Sequence, residues 1–305
     1  VSRTTAPTID LNRLLNGAQL PALPQTAIRV LELARDPDNG PAEFAVPIES
    51  EPGLSSQVLR FVNSSYFGFS QEISTIKLAI TLVGIRTIKN FVLWSAVYNM
   101  MPNPRCGALD LRKLWQDSLR RGLFARTAVQ LAGKRDTEEA FAAALLQDMA
   151  VPLLAKELPN EYAELLAQRT ESQQRLSVLE RERFGWTHAE AAQVVASKWN
   201  LPPSFGTFVE RHAELEMVLG EEDIEPEQRV VAVSAMLPAS VDERWSEADL
   251  FEKAYQSINP AGAPPARQLL ARVDEQFAEF APLLQLPSST RPLVAYYDEA
   301  QNIVA

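Results

Sequence analysis

The 305-residue chain has one cysteine, Cys106, and two histidines, His188 and His212. A lone cysteine cannot close an internal disulfide, which fits a protein of the reducing cytoplasm. No apolar run approaches the roughly 20 residues a helix needs to span a bilayer, so no membrane anchor is expected. Positive charge is also short. Lys and Arg number 29 against 39 Asp and Glu, a formal net charge of -10. The long-range term is then repulsive toward nucleic acid and toward anionic membrane surfaces, so neither is expected as a partner. The start, Val1-Ser2-Arg3-Thr4-Thr5-Ala6-Pro7-Thr8, has no apolar signal core and no initiator methionine. It reads as linker, and the chain is expected to be a fragment with an upstream part. Neither a strand pattern nor an internal repeat is present.

What the chain does have is helix-forming pattern and enough apolar material for a core. It is 46% hydrophobic and 22% charged, sufficient for one large or two modest domains. Apolar spacings of three and four predict helices over 9–15, 25–35, 41–50, 87–101, 111–131, 137–158, 160–170, 176–184, 188–199 and 203–215. Further helices are expected over 227–237, 246–257, 265–284 and 291–303. The most informative stretch is 51–90. Glu51-Pro52 starts a helix whose inward face is Leu54, Val58, Phe61 and Val62. Asn63-Ser64-Ser65 breaks it, because these side chains compete for backbone hydrogen bonds. Gly68 permits a sharp reversal. Ser74 is the expected cap of the next helix, with Leu78, Ala79, Leu82 and Val83 inward, and Gly84 closes it.

These residues also resemble a known family. Leu23-Pro24, Glu51-Pro52, the run Leu59-Arg60-Phe61-Val62-Asn63-Ser64-Ser65-Tyr66-Phe67-Gly68 and the segment from Ala79-Ile80 to Gly84 together look like the HDOD signalling domain. That is a bacterial family related to the HD metal-dependent phosphohydrolases. The resemblance runs from about Leu20 to about His212, and Trp199-Asn200-Leu201-Pro202-Pro203 continues it. It implies an all-α fold of two packed helical layers, an HDOD-specific half and an HD-like half. The expected organisation is a lead-in over 1–19, the HDOD domain over 20–215 and a C-terminal helical extension over 216–305.

The same resemblance points to where chemistry would sit. In HD phosphohydrolases a histidine on one helix and a His-Asp pair on the next hold divalent metal, and a further aspartate completes the site. Aligned by motif, the first histidine falls on Asp117 and the pair falls on Gln147-Asp148. Gln147 offers only a neutral amide oxygen, a poor replacement for imidazole on a transition metal. Asp117 and Asp148 remain to hold a hard ion weakly or to pair with an arginine. His188, behind the capping residue Thr187, occupies a place where HDOD sequences commonly carry a histidine, and a structural role is expected for it. His212 is expected at the surface or in helix packing. Arg112, Lys113, Arg120, Arg121 and Arg126 are expected on a solvated face.

The expected function is therefore non-catalytic. The resemblance implies a cytoplasmic signal-transduction scaffold, the output part of a response regulator, contacting a signalling partner or an upstream receiver-type domain. No cofactor and no resident metal are expected. A vestigial pocket of Asp117, Gln147, Asp148 and His188 is the candidate small-ligand site. Asn63, Ser64, Tyr66, Phe67, Gly68 and Gly84 are expected to be structural. Two alternatives stand beside this reading. One is a metal-dependent phosphohydrolase with an atypical ligand set. The other is a DNA-binding regulator using the helix-turn-helix-like segment 76–98, with Arg86 and Lys89 toward the DNA.

Overall fold

The structure is a computed structural model that describes residues 9–133, 137–221, 223–259, 262–288 and 290–304. The linker expected over 1–8 lies outside these residues, as do 134–136 of an expected turn, Glu222 of the acidic connector, and Pro260 and Ala261. Helices make up 68% of the described residues, and no strand occurs among them.

The first half consists of α1 (Leu11–Gly17), α2 (Gln25–Leu33), α3 (Pro41–Glu49), α4 (Pro52–Val62), α5 (Ile76–Val83) and α6 (Ile85–Met100). The second half consists of α7 (Leu111–Leu131), α8 (Glu138–Leu146), α9 (Val151–Glu157), α10 (Pro159–Ser172), α11 (Leu176–Phe184), α12 (His188–Lys198) and α13 (Pro203–Arg211). The C-terminal part adds α14 (Leu215–Gly220), α15 (Pro226–Ser234), α16 (Ala248–Ile258), α17 (Ala266–Leu283) and α18 (Leu293–Val304). The two halves pack as layers through α6 and α8. One cluster of buried apolar side chains runs from Leu15 to Tyr296, so the C-terminal helices close the core.

Helix α4 shows how local chemistry sets an element and its end. Leu54, Val58, Phe61 and Val62 are buried on one face. Asn63 then ends the helix and ties down the loop beyond it. Its amide donates to the carbonyls of Leu59 at 2.9 Å and Ile73 at 2.8 Å, and its oxygen accepts the Ile73 N–H at 2.7 Å. The Ser64 hydroxyl donates to the Phe61 carbonyl at 2.8 Å, and Gly68 turns with φ of 62°. Tyr66 and Phe67 are half-buried. Tyr66 packs edge-on against Phe280 of α17, with ring centroids 4.7 Å apart.

Several expectations are corrected. Thr75, not Ser74, caps α5; its hydroxyl accepts the Leu78 N–H. Leu78 and Leu82 point outward, while Ile76, Ala79 and Ile80 face the core. This helix is apolar nearly all round, so spacing could not single out its inner face. The helix expected over 137–158 is two helices, broken at Gln147–Ala150 by turns. Pro152 sits at the start of α9, where its ring and missing donor prevent an unbroken helix. The helix expected over 203–215 ends at Arg211, with His212 as its cap.

The positively charged face of α7 is corrected in part: Arg112 and Lys113 are exposed as expected, and Arg121 is only half-buried, but the rest turns inward. Residues Trp115 to Leu119 are buried on every side of the helix, and Arg120 and Arg126 are each only 2% exposed. Helices α8, α15 and α17 surround it. The Arg126 guanidinium stacks 3.8 Å from the Phe141 ring centroid and pairs with Glu138 at 3.1 Å. Arg120 lies 4.8 Å from the Phe277 ring centroid and donates to the Arg291 carbonyl at 2.7 Å. The candidate recognition helix, α6, buries Ile88 and the unbroken run Asn90 to Val97. Lys89 is itself half-buried, and desolvation lowers its pKa. A helix covered in this way cannot enter a DNA groove without unpacking the core.

Gly84 joins α5 to α6 with φ 92° and ψ 151°, a region reached essentially by glycine alone. A Cβ there meets no atom within 4 Å. Gly84→Ala is therefore expected to cost about 1–3 kcal/mol through backbone strain only. Asn63→Ala, which removes the three bonds to Leu59 and Ile73, is expected to cost about 1–3 kcal/mol. Urea unfolding midpoints check both, and an unchanged midpoint in either variant would remove that residue's assigned role.

Candidate functional site

Helices α7, α12 and α13, the α8–α9 turn and the segment after α15 enclose a cavity of about 140 Å³. The break at Gln147–Ala150 matters here, because it turns Gln147 and Asp148 toward the cavity. Asp117 and Arg121 come from α7, one turn apart. His188 is the first residue of α12, and Thr187 before it is held by Glu190, which accepts the Thr187 N–H at 2.7 Å. His212 arrives from the end of α13. All six side chains line the cavity, and Asp117, Gln147, Asp148 and His188 are the four expected from the sequence.

Glu180 on α11 organises the inner wall. It is 0% exposed and accepts three hydrogen bonds. The Tyr162 hydroxyl donates to it at 2.6 Å, the His188 backbone N–H at 2.8 Å and His188 Nδ1 at 2.6 Å. With Nδ1 committed outward, His188 Nε2 faces Asp148 Oδ1 at 3.2 Å and His212 Nε2 at 3.2 Å. The His212 Nδ1 bonds the Val209 carbonyl, so its Nε2 presents a lone pair, 3.8 Å from Asp148 Oδ1. The other Asp148 oxygen, Oδ2, is bound by the Arg121 guanidinium.

The electrostatics follow from this arrangement. Burial opposes charge on His188, but Glu180 and Asp148 outweigh it and push its pKa up to about 10. Burial together with the charge on His188 pulls His212 down to about 3, so it is neutral. Burial alone would raise Asp148, yet Arg121, His188 and His212 hold it below the usual carboxylate range. Asp117 goes the other way. Burial pushes it up to about 6, against the pull of Arg121 and its bonds to Ser240.

Asp117 is turned away from the histidines. Its Oδ1 and Oδ2 accept the Ser240 backbone N–H at 2.9 and 3.0 Å, and the Ser240 hydroxyl also donates to it. Gln147 Oε1 accepts the Ser234 hydroxyl at 3.3 Å. Two HD-like positions therefore grip α15 and the segment that follows it. Beside them Arg169 forms a two-pronged pair with Asp242 at 2.6 and 3.1 Å. Among the described residues, Asp148, His188 and His212 form a group able to hold a cation, with ligand atoms within 4.8 Å of one another.

His212, expected at the surface or in helix packing, is 3% exposed and lies at the centre of the site. Its rarity was the available signal, since it is one of only two histidines. Glu180 and Tyr162 carried none, because each sits in an ordinary amphipathic pattern.

Residues 20–215 match the HDOD domain. The chain belongs to the HDOD family. An uncharacterized protein of Treponema pallidum (strain Nichols) is 25% identical over 189 residues, which is 60% of this chain and 35% of that protein. This HDOD chain thus matches about a third of its relative's length. Among solved structures, an HDOD domain protein from Geobacter sulfurreducens matches with a TM-score of 0.72 at 19% identity. The match covers 90% of this chain and 96% of that one. A candidate phosphohydrolase from Shewanella amazonensis SB2B gives 0.69 at 19%, covering 90% and 97%. A candidate signal transduction protein from Marinobacter aquaeolei VT8 gives 0.66 at 17%, covering 93% and 68%. These likenesses concern the fold, and they extend beyond the HDOD match into the C-terminal helices. No helix among the described residues is long and apolar enough to cross a membrane.

The raised pKa of Asp117 has a measurable consequence. Its folded value of about 6 lies above the unfolded value of about 3.9. Folding therefore takes up a proton between these values, and stability falls as pH rises from about 4 to about 6. Asp117→Asn cannot titrate. Its stability relative to the unsubstituted chain is expected to rise by about 2 kcal/mol between pH 4 and pH 7. Denaturant melts of both chains across this range check it; a constant difference would mean that Asp117 is not desolvated.

Proposed function

We propose that this chain is a signal-transduction module that works through protein–protein contacts and does not turn over substrate at its HD-like pocket. The observation that carries the reading is the Asp117–Ser240 contact. Where the HD resemblance expects a metal-binding histidine, the chain has a carboxylate whose two oxygens hold a backbone N–H of the segment leading to α16. Gln147 is likewise engaged by Ser234, and Asp148 is engaged by Arg121. A change in the pocket is thereby coupled to α15 and to the helices that follow. The input is a signalling partner or an upstream receiver-type domain, and the C-terminal helices carry the response. Fold similarity to the candidate signal transduction protein from Marinobacter supports this direction.

A second reading is a metal-dependent phosphohydrolase with an atypical ligand set. It is favoured by the convergence of Asp148, His188 and His212 and by fold similarity to the Shewanella candidate phosphohydrolase. The two readings separate experimentally. The purified chain is assayed on phosphodiesters and nucleotides with Mn2+, Fe2+, Zn2+ or Mg2+, beside hydrogen-exchange mapping of Asp117→Ala. The relay reading expects no turnover above the metal-only control and faster exchange over 235–258 in the variant, with α2–α5 unaffected. Turnover that disappears in Asp148→Ala overturns it in favour of the hydrolase. Unchanged exchange in Asp117→Ala removes the coupling. A pull-down from cells grown under several conditions is expected to recover a specific protein partner, and recovery of none counts against the scaffold role.

A further inference from the structure

The lead-in before α2 is fastened to α12, far along the chain in the second half. The Trp186 indole N–H donates to the Ile9 carbonyl at 2.6 Å. Lys198 Nζ donates to the Leu15 carbonyl at 2.9 Å and to Asn16 Oδ1 at 3.1 Å. The Trp199 indole donates to the Pro21 carbonyl at 3.1 Å. These donors stand just before α12 and at its end. Leu15 adds one deeply buried side chain, 1% exposed. The seating is otherwise slight. Helix α1 is 7 residues long and has no extensive backbone contact with another helix. An open groove of about 470 Å³ lies between the lead-in, α2 and the end of α12. An element with so few contacts opens at low cost.

One of these ties ends next to the pocket. Trp186 is buried and reaches His188 by two routes. Along the backbone, only Thr187 separates them, and Thr187 is held in the capping arrangement that starts α12. Through side chains, the Trp186 ring stacks on Phe184, with centroids 4.7 Å apart and planes at 15°. Phe184 stacks on Tyr162 at 6.2 Å. The Tyr162 hydroxyl donates to Glu180, and Glu180 holds His188 Nδ1. Both routes start from an indole whose N–H is satisfied by the Ile9 carbonyl. If the lead-in departs, that N–H is left buried without an acceptor, which is a costly state. The indole then has to turn toward water, and the stack on Phe184 and the start of α12 shift with it.

We propose that residues 9–17 form a releasable strap whose docking on Trp186 sets the position of His188, so that an input acting on the chain at Ile9 is felt in the pocket. The proposal rests on the relay reading for the existence of an input, and it names the place where that input enters. It also assigns the docked and released states of one element, which is what a coupling between distant sites requires. The sign is fixed by the geometry: docking holds His188 in place, and release loosens it. Pocket and strap lie more than 170 positions apart in sequence, so neither reports on the other through local chain connection.

The test uses the whole chain, purified without a polyhistidine tag and isotope-labelled at the histidine ring nitrogens. The chain has two histidines, and both line the pocket, so their imidazole signals report on it alone. The strap is loosened from its own side by Leu15→Ala and by Asp10→Ala. Asp10 is exposed and caps α1 through the Arg13 N–H, so its variant carries the test should Leu15→Ala fail to fold by far-ultraviolet circular dichroism. Amide exchange over 9–17 is expected to quicken about 5-fold in Asp10→Ala and more than about 10-fold in Leu15→Ala. The His188 and His212 signals are expected to shift or broaden in the same order. Gly84→Ala, a strain in the first half, is expected to leave them in place. Adding Trp186→Phe, which keeps an aromatic ring but removes the N–H, is expected to abolish the response to loosening the strap. Faster exchange with unmoved imidazole signals overturns the proposal, as does an equal shift in Gly84→Ala, a response that survives Trp186→Phe, or unchanged exchange in both strap variants. The relay reading stands or falls separately, on exchange over 235–258 in Asp117→Ala.

Discussion

The Glu180 carboxylate has no access to solvent, and the centre of the second half is arranged around partnering it. An isolated buried charge is costly, so every lone pair must find a donor. Tyr162 supplies one, and the backbone and ring of His188 supply the others. Those bonds set the direction of the His188 ring, which sets what its far nitrogen meets: Asp148 on one side and His212 on the other. Asp148 in turn holds Arg121 of α7. A chain of contacts thus runs from α10 and α11 through α12 and the α8–α9 turn to the central helix. Removing one member leaves its neighbour buried and unpaired, so the network acts as a unit.

Helix α7 extends that dependence to the rest of the molecule. Between Trp115 and Val129 it is packed on nearly all sides, and Arg120, Arg121 and Arg126 are used inside the protein. Arg126 reaches Glu138 and the rings of Phe141 and Tyr66, joining the second half to the loop that ends α4. Arg120 reaches Phe277 and the Arg291 carbonyl, joining the same helix to α17 and the start of α18. Asp117, one turn before Arg121, anchors the segment after α15. The C-terminal helices are therefore attached to the pocket through charged groups as well as through apolar contacts. Such contacts are directional, unlike the apolar packing around them.

Much of this was legible before the fold was known. The Asn63-Ser64 break, the reversal at Gly68 and the junction at Gly84 follow from side-chain chemistry and backbone sterics within a few residues. Asp117, Gln147, Asp148 and His188 could be named together because motif order carries them. His212 could not, because nothing local distinguishes a histidine at a helix end that faces solvent from one that faces a cavity. The break at Gln147 was missed because the run from Thr137 to Leu158 is so apolar that its helical pattern hides the interruption before Pro152.

The sequence by itself determined the all-α class, the order of most helices and the residues at their breaks, because these depend on interactions within a turn or two of chain. It also showed a carboxylate, Asp117, and an amide, Gln147, where the resemblance expects metal-binding histidines. Only the tertiary structure decided which charged residues are inside. Periodicity identifies a buried face only when the opposite face meets water, and between Trp115 and Val129 α7 has almost no such face. The pairing of His188 with His212, and of Asp117 with Ser240 across 123 positions, depends on how separate helices pack, which spacing along one helix does not encode.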